Sequence, residues 1–537
     1  MILRTYYILF LFFILTASIT KGQFLDKQHY KHQTTLQVLE NIARGKGDNR
    51  SLPILKISEE PQYIAKYFPG SSNHFIYIDE KVYDLCVEFE EDSLSALACI
   101  VGHELGHFFE NHASNFGFSD DSDLHSNEEL EDKADRFGLF YGAIAGYKTH
   151  LLFPKILTKI YENYHLSEHL KGYPPLEERK KIVLKAITEV EGLVNIYQFG
   201  QNLYSFKQYE AAHNCLNYIL NHFPSKLIHN NLGVCKLNIY LDKITDQSLY
   251  PYIYPFEFDV RVKKKVKTNL IHRDMQFDTI DEAIEDFKTA IDLDPHYETA
   301  YINLACAYSI RGNQDAASGT IIDLQQHLQE INKSISENAY LIQGISKALN
   351  ENYKSAESIF KHLHSDSDIN NYNKKVLMAE MNKEASYYDN FVDWVNSFFE
   401  ETPEISNKKV VFDASEEKID NTLPEELQLD KTYNEIDLGN WAVLYYKDDG
   451  KVGKYIFRNK TTEVLMIQAF DSYQESTSKG ISIYDSIDKV KDLEHYGAPT
   501  FLWNDKPYMI LNYQDAGLGF TFEKNRVVNW FRWTINH

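Results

Sequence analysis

Residues 93–109 read SLSALACIVGHELGHFF, an apolar segment that carries two histidines separated by three residues. Its apolar side chains recur at helical spacing, at Leu94, Leu97, Ala98, Val101, Leu105 and Phe108. The pattern predicts a buried helix that Asp92 or Ser93 caps at its start. His103 and His107 then lie one turn apart on one face, where two imidazoles can reach a single metal ion at about 2.0–2.1 Å.

Glu104 follows the first of these histidines and is expected to project beside the ion rather than onto it. A carboxylate in that place can take a proton from a zinc-bound water and deliver it to a leaving amine. Gly106 lets another element approach the helix closely. The same motif also occurs by chance on solvated helices. The apolar flanks favour a buried helix, in which His and Glu side chains need partners.

A second helix supplies the candidate for a third ligand. It is expected to begin at a capping box, Ser126-Asn127-Glu128-Glu129. Glu131 and Asp135 are four residues apart and share one face. Glu131 would complete a His₂Glu zinc site with one position open for water, and Asp135 is placed to accept the N–H of a ligand histidine. Glu128 and Glu129 compete for the ligand role, but only Glu131 is followed by Ala134-Asp135.

These motifs resemble the gluzincin zinc peptidases of the HtpX and CAAX-prenyl-protease type. The resemblance rests on Asp92-Ser93-Leu94, His103–His107, His112, Glu131-x-x-Ala134-Asp135 and Gly146-Tyr147. It is greatest for a soluble periplasmic branch, the BepA-like proteins, in which tetratricopeptide repeats follow the peptidase domain. The resemblance covers about residues 50–365 and implies zinc-dependent cleavage of envelope proteins. It also implies an edge strand at Asn73 and His74–Ile78, with Phe75 and Ile76, along which substrate pairs by β-addition.

One position departs from that family. Where its members carry a His-Pro ahead of an Arg, this chain has Tyr173-Pro174 and then Arg179. The phenol of Tyr173 could donate a hydrogen bond to the tetrahedral oxyanion, approach the zinc, or only pack. His165 and His169 are alternatives for the oxyanion role. His112 is expected to support the site rather than to ligate the metal.

Residues 195–365 repeat small and aromatic side chains at regular spacing. The repeated positions are Phe199-Gly200, Leu203, Tyr209, Ala212, Leu216, Ile219 and Pro224, then Ala283, Phe287, Ala290 and Pro295, then Leu304-Ala305, Tyr308, Gly312 and Ala317, and finally Gly344, Tyr353, Ala356 and Phe360. They resemble tetratricopeptide repeats, in which small residues lie where paired helices touch. An insertion at residues 240–277 fits no repeat.

The fold class that we expect is multidomain. An α+β zincin-like peptidase domain at residues 23–190 precedes an all-α solenoid of tetratricopeptide-like repeats at residues 195–365. A helical segment and acidic linker at residues 366–430 lead to a small α+β module at residues 431–537. Strands are predicted there at 442–446, 464–470, 509–513, 519–522 and 527–533. They surround one helix that Asp485 caps and that ends before Gly497 and Pro499. The module carries no catalytic constellation, which suggests binding or packing.

The N-terminus and the composition bear on location and partners. Residues 1–22 predict a secretory signal peptide, with Arg4 before an apolar run and cleavage after Gly22, and an uncleaved membrane anchor is the alternative. The chain is therefore expected to be secreted or periplasmic. A net charge of −23 argues against binding nucleic acid. The five cysteines include no CxxC pair, which favours buried free thiols over disulfides.

The sequence thus predicts an envelope zinc endopeptidase that binds one Zn²⁺ per chain. Its substrates would be misfolded or stalled proteins, and the repeats would bind protein partners. The alternative is a repeat-based adaptor or chaperone whose peptidase domain is secondary or autoinhibited. Glu104 favours the enzyme, because this residue contributes nothing to folding. A structural zinc domain is less favoured, because no cysteine supplies a fourth ligand.

Overall fold

The computed structural model describes most of the chain in two compact units, Met1–Val194 and Asn195–His537. The described residues are 24–48, 50–59, 63–70, 73–111, 124–166, 176–244, 251–259, 279–363, 368–382, 417–439, 441–470, 472–492, 496, 499, 501–505 and 508–536. Within them, no helix is both long enough and apolar enough to cross a membrane. The predicted signal peptide lies outside the described residues.

The first unit combines helices with a small sheet. Its elements are α1 (Tyr30–Lys46), β1 (Ile54–Ser58), β2 (Ala65–Phe68), β3 (Phe75–Asp79), α2 (Glu80–Val87), α3 (Ser93–Phe109), α4 (Leu124–Ile144), α5 (Thr149–Asn163) and the start of α6 (Leu176–Ser205). Helix α3 carries the two motif histidines and contacts α1, α2, α4, α5 and strand β2. Helix α4 begins at Leu124, two residues before the predicted capping box. The histidine helix is therefore the centre of the unit.

The prediction of a substrate edge strand at His74–Ile78 is wrong. The sheet order is β1-β3-β2, so β3 lies in the middle. It pairs in parallel with β1 and antiparallel with β2, and Ile76 is fully buried. A central strand has no free backbone edge to which a peptide could add. Asn73, Phe75 and Ile76 are therefore excluded as substrate contacts of that kind, and β2 is the edge beside α3.

Helices α3 and α4 touch backbone to backbone. A Cβ atom built on Gly138 would lie 2.5 Å from the carbonyl carbon of Gly102 and 2.6 Å from the nitrogen of His103. A Cβ atom on Gly106 would lie 2.6 Å from the carbonyl oxygen of Ala134. The expectation that Gly106 permits a close approach is thus confirmed. This contact brings the ligand candidates of the two helices together.

Adding a methyl group at this contact is expected to destabilise the first unit. Gly138→Ala should lower the free energy of unfolding by about 1–3 kcal/mol, because the new group meets backbone atoms that cannot rotate away. Gly319→Ala is the matched control, since this helical glycine has nothing within 4 Å of a built Cβ and should gain stability by about 0.4–1 kcal/mol. Urea unfolding of the two variants measures both effects. Equal urea midpoints for Gly138→Ala and Gly319→Ala would contradict the close packing of α3 on α4.

The second unit begins with a run of helices. They are the end of α6, α7 (Tyr209–Leu220), α8 (Lys226–Asp242), α9 (Thr279–Leu293), α10 (Glu298–Ile310), α11 (Gln314–Glu330), α12 (Glu337–Leu349), α13 (Tyr353–Lys361) and α14 (Asp368–Asn382). From α7 to α14, each helix contacts the next. A Cβ atom at Gly344 would meet the ring of Phe360, so this glycine lies where two paired helices touch. The insertion noted in the sequence separates α8 from α9.

An eight-stranded antiparallel sheet follows. Its strands are β4 (Asn434–Gly439), β5 (Ala442–Asp448), β6 (Val452–Arg458), β7 (Glu463–Ala469), β8 (Phe501–Asp505), β9 (Tyr508–Tyr513), β10 (Leu518–Glu523) and β11 (Arg526–Asn536), in the order β4-β5-β6-β7-β11-β10-β9-β8. The prediction omitted β4, β6 and β8. The described helix α15 spans only Ile487–Val490, and its N-cap is Ser486 rather than Asp485. The Asp485 carboxylate instead accepts a bond from the Ser482 amide at 2.7 Å.

The C-terminal sheet packs on the end of helix α6. Phe206 stacks on Trp533 with ring centroids 4.4 Å apart, and Phe199 stacks on Tyr455 at 5.2 Å. The Asn512 side chain donates to the carbonyl of Ser205 at 3.0 Å. All five cysteines of the chain are free and buried, which confirms that prediction. The module therefore packs on the helices that precede it.

Candidate metal centre

Three side chains converge between α3 and α4. The Nε2 atoms of His103 and His107 are 3.1 Å apart, and the two carboxylate oxygens of Glu131 lie 3.4 and 3.5 Å from them. Three donors at about 2.05 Å from a tetrahedral ion would be about 3.3 Å from one another. These residues form a group able to hold a metal ion. Both the donor types and their separations thus fit zinc.

The burial of one face of α3 explains why its two histidines are directed toward Glu131. Leu97, Val101, Leu105 and Phe108 are buried, whereas Leu94 is exposed and does not belong to the apolar face that the sequence suggested. The side chain of His103 is 15% exposed and that of His107 is 8% exposed. Asp92 occupies the N-cap position but makes no side-chain capping bond. Packing of the apolar face, rather than a cap, therefore sets the orientation of the histidines.

Asp135 orients the first histidine. Its Oδ1 atom lies 2.8 Å from Nδ1 of His103, and its side chain is fully buried. A carboxylate there holds the proton on Nδ1 and leaves Nε2 as the metal donor. This is the contact for which the sequence nominated Asp135, one helical turn after Glu131.

Arg179 is the residue whose role the sequence did not reveal. Its guanidinium pairs with both oxygens of Asp135, with Nη2 2.7 Å from Oδ1, and Nη2 also lies 3.5 Å from Glu131 Oε2. Burial opposes ionisation of Asp135, but Arg179 and His103 together outweigh it and lower the pKa of that carboxyl. The signal was present in the sequence, because Arg179 shares a helical face with Val183, Ala186 and Val190, all fully buried. A charged residue on such a face needs a buried partner.

Glu104 lies beside the trio and is shielded from water. It is 6% exposed, and burial raises the pKa of its carboxyl although both histidines oppose that change. The backbone N–H of Tyr67, in β2, donates to it. A raised pKa brings a carboxylate nearer to the range in which it exchanges protons at neutral pH. The geometry and the environment of Glu104 therefore suit a general base.

The trio attracts positive charge. Burial disfavours the imidazolium form of His103, but Glu131 and Asp135 outweigh burial and raise its pKa to about 10. Desolvation likewise opposes ionisation of Glu131, but the two histidines hold the pKa of its carboxyl well below the ordinary value. A metal ion would take the place of the proton at this point.

The remaining candidates lie away from the trio or outside the described residues. Glu129 is exposed and pairs with Lys133 at 2.9 Å, so it is not a ligand in this arrangement. His165 is exposed. Outside the described residues lie His112, His169, Tyr173 and the side chain of Glu128.

Removing the guanidinium should weaken metal binding without removing a ligand. Arg179→Ala leaves Asp135 buried without its cation, so His103 loses its fixed orientation, and zinc affinity should fall about 10–100-fold. Lys180→Ala is the control, because Lys180 pairs with the exposed Glu177 in α6 and, among the described residues, with no other carboxylate. Competition with a zinc-binding dye measures both affinities. Equal affinities for the two variants would show that Arg179 does not support the site.

Comparison with known proteins found no match, so a proposed function rests on the residues of this site. No protein-family model matches the chain, and no curated protein is significantly similar to it.

Proposed function

We propose that this protein is a zinc-dependent endopeptidase of the gluzincin type, with one Zn²⁺ held by His103, His107 and Glu131. The observation that supports the proposal best is the convergence of these three side chains beside a buried carboxylate, Glu104. Three protein ligands leave a fourth position open, which is the catalytic rather than the structural arrangement. The α+β unit would then be zincin-like, and the helices after it tetratricopeptide repeats.

The chain's own residues would supply binding and proton transfer. When bound, zinc supplies Lewis acidity, which lowers the pKa of a coordinated water to about 7. Glu104 accepts the proton of the attacking water and returns it to the leaving amine. Asp135 and Arg179 hold His103 in one orientation throughout. An oxyanion donor is also required, and Tyr173 remains the candidate for it from the sequence.

The substrate would be an extended polypeptide that pairs with β2. One side of this strand pairs with β3, and among the described residues no strand pairs with the other. The backbone N–H of Tyr67 places β2 next to Glu104. Main-chain pairing depends on the backbone of the substrate more than on its side chains. Unfolded or stalled proteins of the cell envelope fit this mode, with the helical part binding partners.

Digestion of unfolded casein tests the proposal. The purified full chain with one equivalent of zinc should cut casein internally, and mass spectrometry should find new termini at many interior positions. A chelator should stop the reaction and zinc should restore it. Casein that remains intact in the presence of zinc would contradict the proposal and favour the adaptor reading. Removal of terminal residues alone would make the enzyme an exopeptidase.

A further inference from the structure

Residues 251–259, with the sequence PYIYPFEFD, belong to the insertion between α8 and α9 and are called the insert segment below. They form neither helix nor strand. Their aromatic side chains alternate along the chain and are all buried, at Tyr252, Tyr254, Phe256 and Phe258. Alternation of this kind is typical of an extended chain. The insert segment thus behaves as an extended peptide that lies on a protein surface.

Asparagine side chains hold the backbone of the insert segment at three places. Asn373 accepts from the amide of Ile253 and donates to its carbonyl, both at 2.9 Å. Asn303 makes the same pair of bonds to Glu257, both at 2.7 Å. Asn231 repeats the pair at Asp259, with distances of 2.7 and 2.6 Å.

Each carboxamide therefore pairs with the peptide backbone as a neighbouring β-strand would.

The asparagines recur at equivalent points of the helical array. Asn303, Asn338 and Asn373 are spaced 35 residues apart and lie on α10, α12 and α14. The Asn338 amide donates to the carboxylate of Glu257 rather than to the backbone. Together with Asn231 on α8, these side chains define what we call the carboxamide face. A face that presents one carboxamide per helical pair recognises the backbone of any extended chain.

Side chains of the insert segment add specific contacts. Phe258 stacks on Tyr204 with ring centroids 4.2 Å apart. The hydroxyl of Tyr252 donates to Glu380, and Tyr297 donates to the Asp259 carboxylate at 2.5 Å. The contacts on the insert segment therefore involve aromatic residues at alternate positions, Glu257 between the last two of them, and Asp259 after them.

The path of the insert segment is longer than a connection requires. Helices α8 and α9 contact each other, and such neighbours are usually joined by about 2–8 residues. The chain instead reaches α14 at Ile253 and returns through α10, at Glu257, to α8, at Asp259. Contact with α14 joins residues 120 positions apart. The excursion fills the carboxamide face and is unnecessary for linking the two helices.

We propose that the carboxamide face is a binding site for an extended peptide and that the insert segment fills this site in cis. The ligand in trans is an extended peptide with aromatic side chains at alternate positions and a carboxylate before the last of them. A tethered occupant has an effective concentration of about the millimolar range, so a free peptide binds only when it displaces the insert segment. The site is distinct from the proposed metal centre and does not depend on its activity.

A labelled synthetic peptide, PYIYPFEFD, tests this proposal by fluorescence anisotropy. In the full chain with residues 251–259 replaced by a Gly/Ser stretch of equal length, the peptide should bind at least 100-fold more tightly than to the unchanged chain. Asn303→Ala in the replaced chain should weaken binding at least 10-fold. Asn350→Ala is the control, because this side chain donates to the exposed Asp315 on the neighbouring helix and its loss should leave binding unchanged. A peptide of the same composition without the alternation should bind at least 10-fold more weakly.

A folded replaced chain that does not bind the peptide would overturn the proposal, as would equal binding to the unchanged chain. Circular dichroism and thermal melting establish whether the replaced chain folds. If it does not, sites for a specific protease placed within residues 245–250 and 260–278 allow the native insert segment to be cut free after folding. The released segment should then exchange with millimolar labelled peptide. A segment that stays bound against this excess would be a permanent part of the fold, which contradicts the proposal.

Discussion

Glu104→Gln is expected to lower kcat/KM for peptide hydrolysis by about 10²–10⁴-fold, the range for loss of a general acid–base group. Glutamine has the shape of glutamate and can still accept the bond from the Tyr67 amide, so the fold should not change. It cannot take up the proton of the attacking water. Because Glu104 is not one of the three ligands, the zinc content should remain at one per chain.

The matched control for this variant is Glu110→Gln, which removes an exposed carboxylate immediately after helix α3. Its activity should equal that of the unchanged protein. Metal analysis and casein digestion of both variants show whether Glu104 acts as the base and whether it binds zinc. If Glu104→Gln cleaves casein at the normal rate with zinc bound, Glu104 is not the base. If it loses zinc, Glu104 is a ligand and the geometry of the site is wrong.

Glu131→Ala is expected to remove the metal rather than the base. Structural zinc sites bind with about 10–16 kcal/mol, so loss of one ligand in three should weaken affinity on the order of 10³-fold. At a buffered free zinc concentration that just saturates the unchanged protein, most Glu131→Ala chains should then be empty and hydrolysis should fall in proportion. Excess zinc should restore part of the activity. Equilibrium dialysis followed by elemental analysis measures the bound metal.

Glu129→Ala tests the competing ligand on the same helix. Glu129 is exposed and pairs with Lys133, so its removal should leave zinc content and activity unchanged. Stoichiometric zinc in Glu131→Ala together with loss of zinc in Glu129→Ala would transfer the ligand role to Glu129. Retention of zinc by both variants would point to Glu128, the other competing carboxylate on α4, as the ligand.

The two residue pairs that carry the candidate ligands were predictable from the sequence because each pair lies on one helix, whereas only the fold brings Glu131 to the histidines. Residues four apart on a helix share a face, which was sufficient to pair His103 with His107 and Glu131 with Asp135. Arg179 could not be assigned in the same way. Its partner lies 44 residues earlier in the chain, and only the fold brings the two side chains together. The apolar residues around Arg179 indicated burial, but they did not identify Asp135.

The sheet of the first unit shows why the pairing of strands is harder to predict than their positions in the sequence. The strand at His74–Ile78 was found almost to the residue, as β3, but its position in the sheet was wrong. Strand β2 has only four residues, Ala65–Phe68, and its sequence AKYF has no clear alternation. The family resemblance implied an edge position for β3, and the sequence had no clear signal for β2, the strand that places β3 in the middle of the sheet. Tertiary pairing, rather than β-propensity, decides which strand is the edge.

The carboxamide face was overlooked for a different reason. The repeats were recognised by small and apolar residues, which report how helices pack on each other. Asn303, Asn338 and Asn373 recur at the same interval but bond to the insert segment, and Asn303 bonds to Asn230 of α8 as well. A regular spacing of polar residues within a repeat array therefore indicates a binding surface, even where the apolar pattern has already explained the fold.

X-ray absorption at the zinc edge tests the metal centre most directly. In the full chain loaded with one equivalent of zinc, the account predicts two imidazole ligands at about 2.0–2.1 Å and oxygen ligands at about 2.0–2.2 Å. The Glu131→Ala protein with excess zinc should keep the imidazole signal, with water in place of the carboxylate oxygen. Sulfur at about 2.3 Å would assign the metal to the cysteines instead, and an absence of imidazole would contradict a centre at His103 and His107.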